Sequence, residues 1–173
     1  RIDFETLTRL TDQPACGLTL DRRNRLWFCN DEDELCCLYE GQKRCKTFNA
    51  GRVPAFLEDA SGAFWVSIGN RGLFRYDSPD AVRDEADGTS LYSARFTTEN
   101  GLDSNSVISL LQARDGTIWV GTWGSPNCLC HYDGHGGFEA IPTPYPSGFT
   151  LFEDTQGRLW MGSWEGHGLS CYD

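Results

Sequence analysis

The sequence predicts an all-β fold, a β-propeller of four four-stranded blade units. A seven-residue motif with tryptophan at its fifth position recurs along the 173-residue chain, and each copy precedes an apolar run ending in Tyr-Asp or Tyr-Glu. Units of about 40 residues with four short strand-like segments are typical of propeller blades. The segment around each tryptophan is apolar or small on both faces, as expected of a sheet packed between two other sheets.

The clearest copy of the motif reads DGTIWVG at residues 115–121. The other copies read QGRLWMG at 156–162, SGAFWVS at 61–67 and, more loosely, RNRLWFC at 23–29. Two positions after each tryptophan stands a small residue: Cys29, Ser67, Gly121 or Gly162. We expect this position to leave room for a large side chain of the adjacent blade.

The blade units are predicted at residues 16–50, 53–98, 107–142 and 148–173, within a single domain spanning 1–173. The fourth unit lacks a last strand. Residues 2–7, which precede the first unit, alternate apolar and polar side chains as a half-buried strand does. We therefore expect residues 1–8 to complete the last blade. They could do so within one chain, closing a ring of four blades, or by exchange between two chains in an eight-bladed homodimeric ring.

The composition of the chain limits the classes of partner and the compartments that we expect. With 15 basic and 25 acidic residues the formal charge is −10, which argues against nucleic-acid binding. The sequence has no apolar run of membrane-spanning length, so no membrane partner is expected. Eight cysteines permit disulfides and hence an oxidising, periplasmic or extracellular location, with a cytoplasmic location as the alternative. Cys29 and Cys37, on neighbouring predicted strands, are the disulfide candidates.

One stretch of the chain resembles a known family. ENGLDSNSV at 99–107, followed by DGTIWVGT at 115–122 and Tyr132-Asp133, resembles the two-component regulator propeller repeat. Such repeats form the periplasmic sensor propellers of bacterial hybrid histidine kinases and also occur in free-standing proteins. The resemblance implies a binding or sensing module. Because blades of this family normally belong to wider rings, it favours the eight-bladed homodimer over the four-bladed ring.

The candidate ligand site lies on the propeller face where two sets of loops meet, those between second and third strands and those between blades. A funnel there could hold a sugar or another polar small molecule. Its predicted residues are Arg71, Asn105, Trp123, Tyr145, Trp164, Glu165 and His167. The alternative is that Trp123 and Trp164 only extend the row of packed tryptophans.

Catalysis, metals and cofactors are not expected. The enzyme alternative is a lyase acting through His167 and a neighbouring carboxylate, because Leu26-Trp27-Phe28 is similar to an element of streptogramin-type lyases. Cys128, Cys130, His131 and His135 could suggest zinc, but alternation along a strand points His131 away from the two cysteines. We therefore predict a non-catalytic binding, sensing or assembly module without a cofactor.

Overall fold

The fold consists of antiparallel β-sheets arranged as propeller blades. In the computed structural model, the described residues are 15–30, 32–40, 42–47, 52–82, 92–164, 166 and 168–172. Their four sheets follow one another along the chain, and we call them blades 1 to 4. The predicted all-β propeller architecture is confirmed. Among these residues no helix is long or apolar enough to cross a membrane.

Each blade is a meander in which successive strands pair. Blade 1 contains β1 (Ala15–Leu20), β2 (Leu26–Asn30), β3 (Glu34–Tyr39) and β4 (Gln42–Thr47). Blade 2 contains β5 (Phe56–Glu58), β6 (Phe64–Ser67), β7 (Leu73–Tyr76) and β8 (Ala94–Phe96). Blade 3 contains β9 (Val107–Gln112), β10 (Ile118–Thr122), β11 (Leu129–Tyr132) and β12 (Phe138–Ile141).

Blade 4 has three strands in the described part of the chain: β13 (Thr150–Glu153), β14 (Leu159–Gly162) and β15 (Leu169–Tyr172). The segment predicted to complete it, residues 1–8, lies outside the described residues. Parts of the first strands of all four blades line one central cavity of about 310 Å³, as expected when first strands lie nearest a propeller axis.

The core lies between the blades. One buried cluster joins blade 1 to blade 2, a second joins blade 2 to blade 3, and a third joins blade 3 to blade 4. Each blade thus has a forward face, packed on the next blade in chain order, and a rear face, packed on the preceding one. In blade 2, Trp65 and Leu73 belong to the forward face, whereas Val66 and Phe74 belong to the rear face.

The turn between the first two strands of a blade is organised by an aspartate that also anchors the motif tryptophan. Asp59 Oδ1 accepts hydrogen bonds from the backbone N–H groups of Ser61 and Ala63, and its Oδ2 accepts one from Trp65 Nε1 at 2.7 Å. Asp21 with Trp27 and Asp154 with Trp160 repeat the indole hydrogen bond, both at 2.9 Å. One acidic side chain therefore fixes the turn and orients the large aromatic group.

Blade 3 departs from this arrangement because its corresponding residue is Ala113. The backbone turn is unchanged, since Gly116 N donates to Ala113 O at 2.9 Å as Gly62 N donates to Asp59 O. Trp119, which has no aspartate acceptor, is half-buried, with its ring 5.2 Å from that of His131. The packing of the tryptophan therefore does not depend strictly on the aspartate.

The small residue two positions after the tryptophan makes room for backbone rather than for a large side chain. A Cβ atom at Gly121 would overlap the carbonyl oxygen of Gly148 and the Ser109 hydroxyl, whose Oγ donates to that carbonyl at 2.6 Å. The space is therefore filled by the backbone that leads into blade 4, together with a first-strand side chain. The expectation of a large side chain from the adjacent blade is wrong at this position.

A polar contact, which we call the interblade clamp, ties each described pair of adjacent blades together. At the end of the first strand, a side-chain oxygen accepts a hydrogen bond from a backbone N–H in the first turn of the preceding blade. Glu58 accepts from Arg22 at 2.7 Å, Gln112 from Ala60 at 2.7 Å and Glu153 from Arg114 at 2.9 Å. The clamp repeats at the same register in blades 2, 3 and 4.

The disulfide prediction was wrong. Cys36 and Cys45, direct partners across β3 and β4, form a disulfide, and Cys29 is also disulfide-bonded, but Cys37 is a free, half-buried thiol. Cys29 is paired with Leu35, two residues from Cys37 along β3. That offset of about 6.6 Å along a strand is too large for a Cys29–Cys37 bond without backbone movement.

Candidate functional site

The loops predicted to form the site lie in a row along one face of blades 2 to 4. Backbone hydrogen bonds connect them: Gly72 N donates to Asn105 O at 3.0 Å, and Trp123 N donates to Ser106 O at 2.8 Å. Trp123 also forms an isolated β-bridge with Ser147, in the connection to blade 4. Backbone hydrogen bonds thus link the segments that carry Asn105, Trp123 and Ser147.

Three exposed aromatic residues at the junction of blades 3 and 4 form what we call the aromatic ledge: Trp123, Phe149 and Trp164. Their exposed fractions are 38%, 47% and 52%. The rings of Phe149 and Trp164 lie 4.8 Å apart, tilted by 40°. Ser147 contacts the backbones of both tryptophans, through its bridge to Trp123 and a 3.5 Å hydrogen bond from Trp164 N to its Oγ. Two predicted residues and one additional residue therefore form an exposed apolar surface.

Hydrogen bonds hold the connection that supports the ledge. Cys128 Sγ donates to the carbonyl oxygen of Tyr145 at 2.9 Å, and Thr143 Oγ1 donates to the same oxygen at 3.0 Å. Gly124 N donates to Pro146 O at 3.3 Å. Tyr145, predicted as a ligand contact, thus also fixes the loop through its backbone.

Asp103 positions the loop that follows Trp123. Its Oδ2 accepts hydrogen bonds from the Ser125 hydroxyl and, at 2.9 Å, from the backbone N–H of Asn127. Asp103 was not among the predicted site residues, because its partners lie more than twenty positions away along the chain. No local motif joins a carboxylate to a loop at that separation.

Arg71 and Asn105 belong to the other end of the row, at the junction of blades 2 and 3. Asn105 Oδ1 accepts a hydrogen bond from Thr98 N at 2.9 Å, so this amide holds the connecting segment in place. The exposed Arg71 places its guanidinium 5.3 Å from the centre of the Phe74 ring. Asn105 therefore has a structural role in addition to its predicted one. No direct contact joins either side chain to the ledge among the contacts of the described residues.

Glu165 and His167, the remaining predicted ligand contacts, lie outside the described residues. The lyase alternative, which depended on His167 and a neighbouring carboxylate, therefore gains no geometric support.

The cysteine–histidine run in blade 3 is part of the core. Cys128 and Cys130 are fully buried, and burial raises the pKa of both thiols, that of Cys130 to about 11. They are therefore neutral thiols, which are poor metal ligands. Cys130 packs at the junction of blades 2 and 3, whereas Cys128 packs at the junction of blades 3 and 4, so the expectation that the two cysteines share a face is wrong. His131 lies against Trp119. In the described part of the chain, potential ligands cluster at Glu34, Cys36 and Cys45, where the two sulfurs are bonded to each other.

The fold and the loop arrangement define a propeller with an exposed aromatic surface on its loop face. The family model described as "Two component regulator propeller" matches residues 101–124, which lead into β9 and run through β10. The chain carries this repeat, and the resemblance seen in its sequence is confirmed there. None of the curated proteins matches the chain.

Solved structures share the fold at low identity. The extracellular domain of a protein assigned as a hybrid two-component system of B. thetaiotaomicron is 18% identical, with a TM-score of 0.72, over 96% of this chain and 22% of that one. A protein assigned as a gluconolactonase is 16% identical, with a TM-score of 0.73, over 96% and 62%.

Virginiamycin B lyase from Staphylococcus aureus, in an inactive H270A form, is 13% identical with a TM-score of 0.64, over 94% of this chain and 56% of the lyase. The chain thus spans about a fifth to a quarter of the sensor domains it resembles. Because proteins assigned as sensors and as enzymes share this fold, the likeness to these structures shows the fold alone.

Proposed function

We propose that the chain is a non-catalytic binding module of a periplasmic or extracellular sensor, which recognises a neutral carbohydrate or a similar flat polar molecule on the aromatic ledge. The observation that carries the proposal is the exposure of the paired Phe149 and Trp164 rings beside Trp123. Large aromatic rings usually bury their surface, so an exposed group of them on a loop face is typical of a binding site.

The charge of the protein narrows the ligand class. A formal charge of −10 repels anions, so a neutral sugar ring suits this surface better than a phosphorylated or carboxylated ligand. The apolar face of a sugar ring can stack on an indole, while its hydroxyl groups remain free to bond to polar groups of the surrounding loops.

The sensor context is supported by the matched repeat and by the extracellular sensor domains that share the fold. The observed disulfide supports an oxidising compartment, where such bonds persist.

The test is a titration of the protein with a panel of neutral oligosaccharides, followed by tryptophan fluorescence and thermal unfolding. A ligand that binds the folded state should raise the unfolding midpoint. Trp164→Ala and Trp123→Ala should each weaken binding by roughly tenfold, from the loss of about 1.4 kcal/mol of stacking.

Phe152→Ala is the matched control, because it removes an exposed aromatic ring of blade 4 that is not part of the ledge. It should leave the affinity unchanged. A flat response across the whole panel, or an affinity that Trp164→Ala does not alter, would contradict the proposal.

A further inference from the structure

A cavity of about 670 Å³ opens between blades 2 and 3. Its lining includes Ser61 and Gly116, in the turns between first and second strands, so it lies at the opposite strand ends from the aromatic ledge. Trp65, Phe96 and Tyr132 form its aromatic walls, with the centre of the Trp65 ring 5.6 Å from each of the other two ring centres. The volume lies within the range of roughly 300–1,000 Å³ that is typical of sites for small organic molecules.

Two polar side chains of this cavity can donate further hydrogen bonds. Arg75 pairs with Trp65 across the sheet, and its guanidinium carbon lies 5.8 Å from the centre of the indole ring. Its Nη1 donates to Ser93 Oγ at 3.2 Å and to the exposed Asp77 at 3.5 Å, whereas its other guanidinium nitrogens bond to none of the described residues. The hydroxyl group of Tyr132 likewise makes no hydrogen bond within the described part of the chain. A ligand in the cavity could therefore accept hydrogen bonds from both side chains.

The corresponding place between blades 1 and 2 holds a carboxylate of the protein itself. Asp80 accepts hydrogen bonds from the guanidinium groups of Arg23 and Arg25. The guanidinium carbon of Arg25 lies 5.7 Å from the centre of the Trp27 ring. The next residue, Ala81, packs against the buried cluster of that junction. A carboxylate joined to an apolar group thus binds there, beside a guanidinium that stacks on the motif tryptophan.

Blade 3 supplies no carboxylate at this position. Asp80 stands four positions after the last residue of β7, and the residue four positions after the last residue of β11 is Gly136. Gly136 lines the cavity but has no side chain to place in it. The connection between third and fourth strands is also shorter in blade 3, at 133–137, than in blade 2, at 77–93. The cavity therefore lies in register with the place that Asp80 occupies at the preceding junction.

The charges around the cavity favour a monocarboxylate over a phosphate or another dianion. Asp59 also lines the cavity, but its two oxygens already accept hydrogen bonds from the turn and from Trp65. The charges of Asp59 and Asp77 and the formal charge of −10 repel a dianion more strongly than a single carboxylate. One guanidinium group can pair with one carboxylate through two parallel hydrogen bonds.

We propose that the cavity between blades 2 and 3 binds a small monocarboxylic acid with an apolar body. The carboxylate pairs with Arg75 and accepts a hydrogen bond from the Tyr132 hydroxyl group. The apolar body packs against Trp65 and Ile118, which line the same cavity. The site shares no residue with the aromatic ledge, so this proposal does not depend on the function proposed for the ledge.

The experiment is a calorimetric titration of the full chain with benzoate, phenylacetate and hexanoate, and with the corresponding neutral amides. At least one acid should bind roughly tenfold more tightly than its amide, since a hydrogen bond to a charged group is stronger than one to a neutral group. Arg75→Gln should weaken acid binding by roughly tenfold and should make the affinities for acid and amide similar. Tyr132→Phe should weaken acid binding by roughly threefold, from the loss of one hydrogen bond, while the preference for the acid remains.

Arg158→Gln is the matched control, because it removes a guanidinium whose carbon lies 5.3 Å from the centre of the Trp160 ring in blade 4. It should leave the affinity for the acids unchanged. Circular dichroism checks that each variant folds, and Tyr132→Phe, which keeps its aromatic ring, tests the site even if Arg75→Gln does not fold. No binding of any acid up to about 10 mM would overturn the proposal. Equal affinities of wild type for acid and amide, or an acid affinity that neither cavity variant alters, would overturn it as well.

Discussion

Asp59 accepts a 2.7 Å hydrogen bond from the indole nitrogen of Trp65, six residues further along the chain. The same separation joins Asp21 to Trp27 and Asp154 to Trp160. The aspartate thus connects the turn at the edge of a blade to the large side chain packed between blades. Removal of the aspartate should therefore destabilise the fold.

Replacement of Asp59 by alanine should lower the free energy of unfolding by about 3 kcal/mol, since a buried indole N–H and two turn N–H groups lose their acceptor. Urea unfolding at neutral pH measures this change. Asp77→Ala, at a side chain that is 80% exposed, is the control and should change stability by less than about 0.5 kcal/mol. Equal effects of the two substitutions would contradict the role assigned to Asp59.

Stability should also decline in acid because of these aspartates. Burial works against the charge of Asp59, yet hydrogen bonds from Ser61, Trp65 and Ala63 hold its pKa below the ordinary value. A carboxylate with a lowered folded-state pKa stabilises the protein above its unfolded pKa, near 3.9, and that contribution is lost as the pH falls through the folded-state pKa. Urea unfolding between pH 7 and pH 2 should show a steeper acid decline for wild type than for Asp59→Asn. If the stability of the two proteins fell in parallel with pH, the carboxylate of Asp59 would make no pH-dependent contribution.

Blade 3 offers the converse substitution. Ala113→Asp places a carboxylate where the backbone turn matches those of the other blades, so it can accept from Trp119 and from the turn N–H groups. The free energy of unfolding should rise by about 1 kcal/mol. Ala113→Ser is the control, because its short hydroxyl group cannot reach the indole. A loss of stability in the aspartate variant would show that Trp119 cannot adopt the orientation of the other tryptophans.

The interblade clamp should contribute to the free energy of unfolding at each junction between blades. Gln112→Ala and Glu153→Ala each remove the acceptor of a backbone N–H from the preceding blade, and each should cost about 1 kcal/mol in urea unfolding. The two sites lie at different junctions, so their effects should add. Glu99→Ala, an exposed acidic residue outside the clamps, should be neutral. Unchanged stability in both clamp variants would show that the exposed hydrogen bonds contribute nothing.

The disulfide of blade 1 should stabilise the hairpin that it crosses. Cys36 and Cys45 are separated by nine positions. Closing a loop of that length lowers the entropy of the unfolded chain, which raises the free energy of unfolding by about 2.6 kcal/mol. The double variant Cys36→Ser/Cys45→Ser should lose roughly that amount under oxidising conditions. Cys171→Ser, at an exposed free thiol, is the control and should behave like wild type.

The sequence predicted the repeat and the strands well, because the tryptophan motif and the apolar alternation are local patterns. β6 (Phe64–Ser67) lies within the motif copy at 61–67, and β10 (Ile118–Thr122) begins within the copy at 115–121. The aspartate six residues before Trp27, Trp65 and Trp160 is visible as a regular spacing, but it lies outside the seven-residue motif, which begins at the turn. The clamp acceptors could not have been found, since their partners lie 36 to 52 positions away.

The candidate site was predicted less completely. Alternation and loop position were sufficient to select Trp123 and Trp164, but Phe149 occupies a position held by Pro54 and Ile108 in other blades, so its exposure was not evident. The disulfide prediction failed because strand assignment alone does not fix register. A shift of two residues along β3 separates the neighbour of Cys29 from Cys37.

The interblade clamp gives the series of blades a direction. In each described pair, the first strand of the later blade holds the turn between the first two strands of the earlier blade. Loosening of a first strand would therefore release the turn of the blade before it, and a local disturbance would travel from blade 4 towards blade 1.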